Sequence, residues 1–144
     1  MTRTRKSAKT LGATFERQLA DYLNAELDDR IDRRIRYGIK DRGDVSGVRT
    51  VHGRRLVLEA KNVTHETCTK CKRISGLKLS EWLAEADIEA GNDDALLGVV
   101  VHKRRGTTDP GRQFVTMTVD DLCALIDGQR HGHRADILDD GKTA

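Results

Sequence analysis

The stretch Leu56-Val57-Leu58-Glu59-Ala60-Lys61 constrains this chain most. Its apolar positions predict a buried strand, and a strand sends successive side chains to opposite faces. Glu59 and Lys61 therefore share one face with Val57, while Leu56, Leu58 and Ala60 take the other. Charge is costly inside a sheet unless it is paired or has chemistry to perform. The plainest alternative is a same-face ion pair on a solvated sheet surface, worth roughly 0.2–1 kcal/mol.

A chain of 144 residues suits one domain with one core. Charged residues make up 34% of it and apolar residues 37%, and no apolar run approaches the length of a membrane-spanning helix, so no membrane partner is expected. Met1 to Thr10 is basic with no apolar segment behind it, which argues against a secretory signal and for a cytoplasmic location. The net charge of +3 is modest, but its distribution is clustered. Arg3, Arg5, Lys6 and Lys9 open the chain, Arg30 to Arg36 carry four arginines, Lys70, Lys72 and Arg73 form a third group, and Lys103-Arg104-Arg105 a fourth. Such clusters suit phosphate contacts; a solvated basic face is the ordinary alternative for each.

Residues 1–12 read as a flexible basic arm, 13–128 as a single domain and 129–144 as a polar, flexible tail. Phe15, Leu19, Tyr22, Leu23 and Leu27 recur at helical spacing and predict a helix over 13–27, with Thr14 able to cap it. Short strands are expected at 33–37 and 44–51, then a turn at His52-Gly53-Arg54 and a returning strand at 55–61. Residues 63–76 lack periodicity and read as a loop. A helix over 80–90 would bury Leu79, Trp82, Leu83, Ala86 and Ala90, with Gly91 and Asn92 stopping it. Ala95 to His102 is the most apolar run and predicts a central strand. A loop, a strand at 113–119 and a last helix capped by Thr118 or Asp120 complete the order. A helix between two strands makes a crossover and favours parallel pairing, so the expected class is α/β, a mixed central β-sheet flanked by helices.

A hairpin turned near His52 brings Asp44 close to Glu59. Two hard carboxylates at that distance can hold magnesium, which keeps water in its remaining positions. Such an ion lowers the pKa of water for attack on a phosphodiester, and Lys61 could orient the water or neutralise charge developing on the phosphate.

Gly43-Asp44 followed by the strand LVLEAK resembles the PD-(D/E)XK nuclease superfamily, whose signature is an acid followed on the next strand by Glu-x-Lys. Gly43 stands where the signature has proline. The order of elements over residues 13–119 is similar to the Holliday-junction resolvase-like endonucleases of archaea and phages. That resemblance implies a restriction-endonuclease-like core in α-β-β-β-α-β order and metal-dependent hydrolysis of DNA. It implies Asp44, Glu59 and Glu16 of the first helix as the metal-site acids and Lys61 as the catalytic lysine. Magnesium would be the cofactor, with manganese able to substitute. The substrate would be branched or four-way junction DNA, in a bacterial or phage-infected cell. Junction resolution needs two matched cuts, which implies a homodimer. Arg36, Arg42, Lys103, Arg104 and Arg105 are the expected DNA contacts.

Other readings remain open at this point. A restriction-like or repair nuclease shares the same signature. A non-catalytic DNA-binding protein with structural zinc is the reading from another class: Cys68 and Cys71 form one CxxC with His65 nearby, and His52 or His102 could complete a site. Two plain loop thiols or a disulfide explain the same residues. With aromatic residues at 3%, base stacking is not the main mode of binding, and Trp82 reads as core.

Overall fold

The computed structural model describes residues 5–35, 38–63, 66–67 and 74–130. Helix α1 (Arg5–Glu26) leads into strands β1 (Asp32–Arg33), β2 (Val45–Ser46) and β3 (Leu56–Lys61). A small hairpin of β4 (Glu66–Thr67) and β5 (Ile74–Ser75) precedes helix α2 (Leu79–Asn92). Strand β6 (Leu97–His102), a 3-10 turn (Pro110–Arg112), β7 (Phe114–Thr116) and α3 (Val119–Asp127) follow. Five strands form one mixed sheet in the order β1-β2-β3-β6-β7, and the fold is α/β.

β3 and β6 run parallel from Leu56 beside Leu97 to Lys61 beside His102. The remaining neighbours in that sheet are antiparallel. The parallel pair is what a crossover through α2 produces. Every residue of β6 is buried, because both faces of the sheet are covered. On one face Phe15, Leu19 and Ala20 of α1 and Ala124 of α3 pack with Leu58, Leu97, Val99 and Val101. On the other, Trp82 and Ala86 of α2 pack on Val100. Glu59 stands beside Val100 in register and so belongs to the α2 face, as alternation requires. Trp82 is core, as its position on the apolar stripe predicts.

Several boundaries differ from expectation. α1 begins at Arg5, so residues 5–12 of the expected basic arm are helical. Lys6, Ala8, Lys9 and Leu11 are favourable helix formers, and they extend the helix without needing an apolar face. Thr14 does not cap it; its hydroxyl donates to the Thr10 carbonyl inside the helix, at 2.9 Å. Tyr22 and Leu27, counted on the buried stripe, are exposed. β1 and β2 are only two residues long, shorter than the predicted strands. β4 and β5 interrupt the expected loop over 63–76. α2 runs through Gly91 and Asn92, and Asp93 forms its C-cap instead. At α3 the Thr118 cap is present as a capping box with Asp121. Among the described residues, no helix is long and apolar enough to cross a membrane.

Helix α2 approaches the sheet closely at Gly98. A Cβ there would lie 2.2 Å from the Ala86 carbonyl oxygen, so only glycine lets α2 sit this close to β6. Gly98→Ala should therefore lower unfolding stability by about 1–3 kcal/mol, the usual cost of overpacking a core. Urea denaturation measures this, and an unchanged midpoint would contradict the close packing.

Candidate active site

The site is built where the loop before β2 folds against β3. Gly43 takes φ +87°, and a Cβ there would meet Val57 Cγ1 at 2.6 Å. Proline, held near φ −65°, cannot occupy this position. Asp44 follows, and its N–H donates to the Leu58 carbonyl at 2.9 Å. Val45 pairs with Leu58, so Asp44 stands beside Glu59 one step further in register. Its carboxylate Oδ2 accepts the Ala60 N–H at 2.8 Å. The neighbourhood of Asp44 and Glu59 expected from the hairpin is present.

Glu59 is 5% exposed. Its Oε1 lies 2.7 Å from Lys61 Nζ, which also donates to Glu85 Oε2 of α2 at 2.6 Å. Burial lowers the Lys61 pKa, but hydrogen bonds and charge from Glu59 and then Glu85 outweigh it, and the net shift is upward. The two glutamates thus favour the charged ammonium of Lys61. The other oxygen, Glu59 Oε2, is buried with no hydrogen-bond partner among the described residues.

Glu89 lies one turn beyond Glu85 on α2 and is 7% exposed. Its Oε2 is likewise buried without a hydrogen-bond partner among the described residues. Burial, then the charge and hydrogen bond of Glu59, then the charges of Asp41 and Asp44 push its pKa up to about 9. An ionised carboxylate can only accept hydrogen bonds, so a proton on Glu89 is what allows it to bond Glu59. Sequence reasoning missed Glu85, Glu89 and Asp41. The signal existed for Glu89: it follows Trp82 and Ala86 at the spacing of the buried stripe, and an acid there is the informative exception. Asp41 carried no such signal, being one polar residue in a loop that Asn92 ties to α2 by donating to the Asp41 carbonyl at 2.7 Å.

The other expected site residues are distributed more widely. Glu16 accepts a hydrogen bond from Arg33 Nε at 2.7 Å, so its described partner is a β1 arginine. Lys103 lies over the Phe15 ring at 5.7 Å and Arg104 over Phe114 at 5.5 Å. Arg104 and Arg105 are exposed just past the end of β6. Arg42 is exposed and lines an open groove of about 790 Å³ with Arg33, Arg34, Lys40 and Asp41. Arg34 is committed to Asp93 by a two-pronged ion pair at 2.8 and 3.0 Å. Arg36 lies outside the described residues, as do His65, Cys68 and Cys71. The two histidines considered as fourth zinc ligands have other neighbours: His52 Nε2 lies 3.3 Å from the Ile126 carbonyl, and His102 Nε2 lies 2.8 Å from Thr116 Oγ1. Burial lowers the His102 pKa.

Among the described residues, no three carboxylate, imidazole or thiol side chains are gathered closely enough to hold one ion as they stand. The donor set nevertheless fits a magnesium-like ion. Such ions take one or two protein carboxylates and keep water elsewhere, and Glu59 presents a buried oxygen with no partner beside Asp44. Comparison with family models, with curated proteins and with solved structures found no match.

The raised pKa of Glu89 has a consequence for stability. The group ionises near 4.5 when unperturbed and at about 9 in the fold. Folding therefore takes up a proton between those values; this group's contribution is full below the lower one and is lost as pH rises through the upper one. Glu89→Gln removes the dependence. In chelator, the variant should gain stability relative to wild type as pH rises from 5 to 8, by up to about 1.4 kcal/mol per unit. Thermal melts at each pH test this, and a difference that does not change with pH would contradict a protonated Glu89.

Proposed function

We propose that the protein is a divalent-cation-dependent endonuclease with a restriction-endonuclease-like core that hydrolyses DNA phosphodiester bonds. The observation that supports this most is the buried Oε2 of Glu59, unpartnered among the described residues and standing beside Asp44 with Lys61 on the same strand face. These are an acid pair suited to a hard cation and a fixed positive charge suited to a phosphate. A surface ion pair would expose all three groups, whereas Asp44 and Glu59 are 6% and 5% exposed.

In this reading Asp44 and Glu59 hold the ion. Magnesium bound there would supply Lewis-acid stabilisation of phosphate charge and a lowered pKa for water. Lys61 donates from its ammonium to the phosphate oxygen on which negative charge develops, or orients the attacking water. Its two glutamate partners keep it ionised and aimed along the α2 face of the sheet. Arg42 beside the acids, with Arg104 and Arg105 beyond β6, would contact the DNA backbone and fix its register. Branched or four-way junction DNA and a homodimer are what the sequence resemblance to junction resolvases adds. A restriction-like or repair nuclease uses the same centre and differs in substrate shape.

Asp44→Ala and Glu59→Ala should each lower cleavage by at least about a hundredfold, with DNA binding in calcium retained in a mobility-shift assay. A panel of labelled four-way junction, flap, duplex and single-stranded DNA, with cut positions mapped in magnesium and manganese, identifies the substrate. Paired symmetric cuts near the branch point support a resolvase. Wild-type cutting by the double variant would overturn the assignment of the centre. No cutting of any substrate by the wild-type protein would favour a binding protein that keeps the fold.

A further inference from the structure

We propose that Glu89 is a further metal-holding carboxylate, so that α2 contributes directly to the cation site together with Glu59 of β3. This rests on the cation-site reading above, and it adds a ligand from an element that the sequence signature does not include.

Glu89 is held in place from both directions. One turn earlier, Ala86 is packed against Gly98, fixing the distance between helix and sheet. Just beyond it, Arg34 grips Asp93 with two hydrogen bonds, Arg55 donates to the Asp93 carbonyl at 3.0 Å and Asn92 donates to the Asp41 carbonyl. With the helix pinned at both points, the Glu89 side chain is directed at β3 and is 7% exposed.

Two carboxyl groups then face each other across the interface of helix and strand, within hydrogen-bonding reach, and each keeps one buried oxygen with no other partner among the described residues. Lys61, the cation on the same strand face, is already engaged by Glu59 Oε1 and Glu85. Buried acceptors without donors are uncommon and call for an explanation. Carboxylate oxygens are the donors that magnesium and manganese prefer. Glu85, one turn away, is half exposed and occupied by Lys61, so the two glutamates of α2 have separate tasks.

Manganese binding to the full chain, followed by electron paramagnetic resonance, tests the proposal. Glu89→Gln keeps the shape of the side chain and should weaken manganese affinity at least tenfold, while its circular dichroism in chelator matches wild type. Glu81→Gln, an exposed position on the same helix, should bind as wild type does. If wild type binds manganese and Glu89→Gln binds it equally well, this inference fails and the reading of Asp44 and Glu59 stands. If wild type binds no manganese at millimolar concentration, the cation site itself fails. Should Glu89→Gln not fold, anomalous scattering from manganese in wild-type crystals decides. A peak coordinated by both Glu59 and Glu89 supports the proposal, and one coordinated by Asp44 and Glu59 without Glu89 overturns it.

Discussion

The close approach of α2 to the sheet at Gly98 is the constraint on which the candidate site depends. Because position 98 has no side chain, the Ala86 backbone can lie almost on β6, and the next turn of the helix is drawn over β3. That brings Glu85 to Lys61 and Glu89 to Glu59. A helix one side-chain layer further out would leave these acids in solvent as an ordinary charged face. The parallel pairing of β3 and β6 does the rest, setting Glu59 beside Val100 and Lys61 beside His102 on the covered face.

The result is an interior with more acid than base at one end of the central strands. Asp41, Asp44, Glu59 and Glu89 are close enough for the charges of the other three to raise the pKa of Glu89, and Lys61 is the cation that the structure places against Glu59. Burying such a set is costly unless protons or cations offset the charge. In the fold as it stands, a proton on Glu89 and the ammonium of Lys61 do so. In the proposed function, a divalent ion would take the place of the proton on Glu89, and the Lys61 ammonium would turn from its glutamates to a phosphate oxygen.

Much of this was legible in the sequence where local pattern and chemistry coincide. The alternation of LVLEAK placed Glu59 and Lys61 on one face, the turn at His52-Gly53 brought Asp44 beside Glu59, and the crossover through α2 favoured the parallel pair. The start of α1 was not legible because Lys6, Ala8 and Lys9 favour helix by propensity without showing an apolar stripe. Glu89 was overlooked because a stripe drawn through apolar residues skips an acid in the same position. Glu16 could be put on α1, but that Arg33 would engage it depends on how α1 meets β1, a tertiary fact with no local signal. Gly98 carries no local signal within its apolar run, and its role as the contact point of α2 appears only once helix and sheet are assembled.

The most direct test of the central claim is the melting temperature of the wild-type protein at neutral pH, in chelator and then in rising magnesium, with potassium chloride matching ionic strength. An ion that binds the folded chain at a hundredfold over its dissociation constant stabilises it by about 2.7 kcal/mol. The expected result is a saturable rise of several degrees that potassium does not reproduce. A melting temperature unchanged by magnesium across the millimolar range would show that these buried acids are balanced by Lys61 and a proton alone, and would contradict the claim.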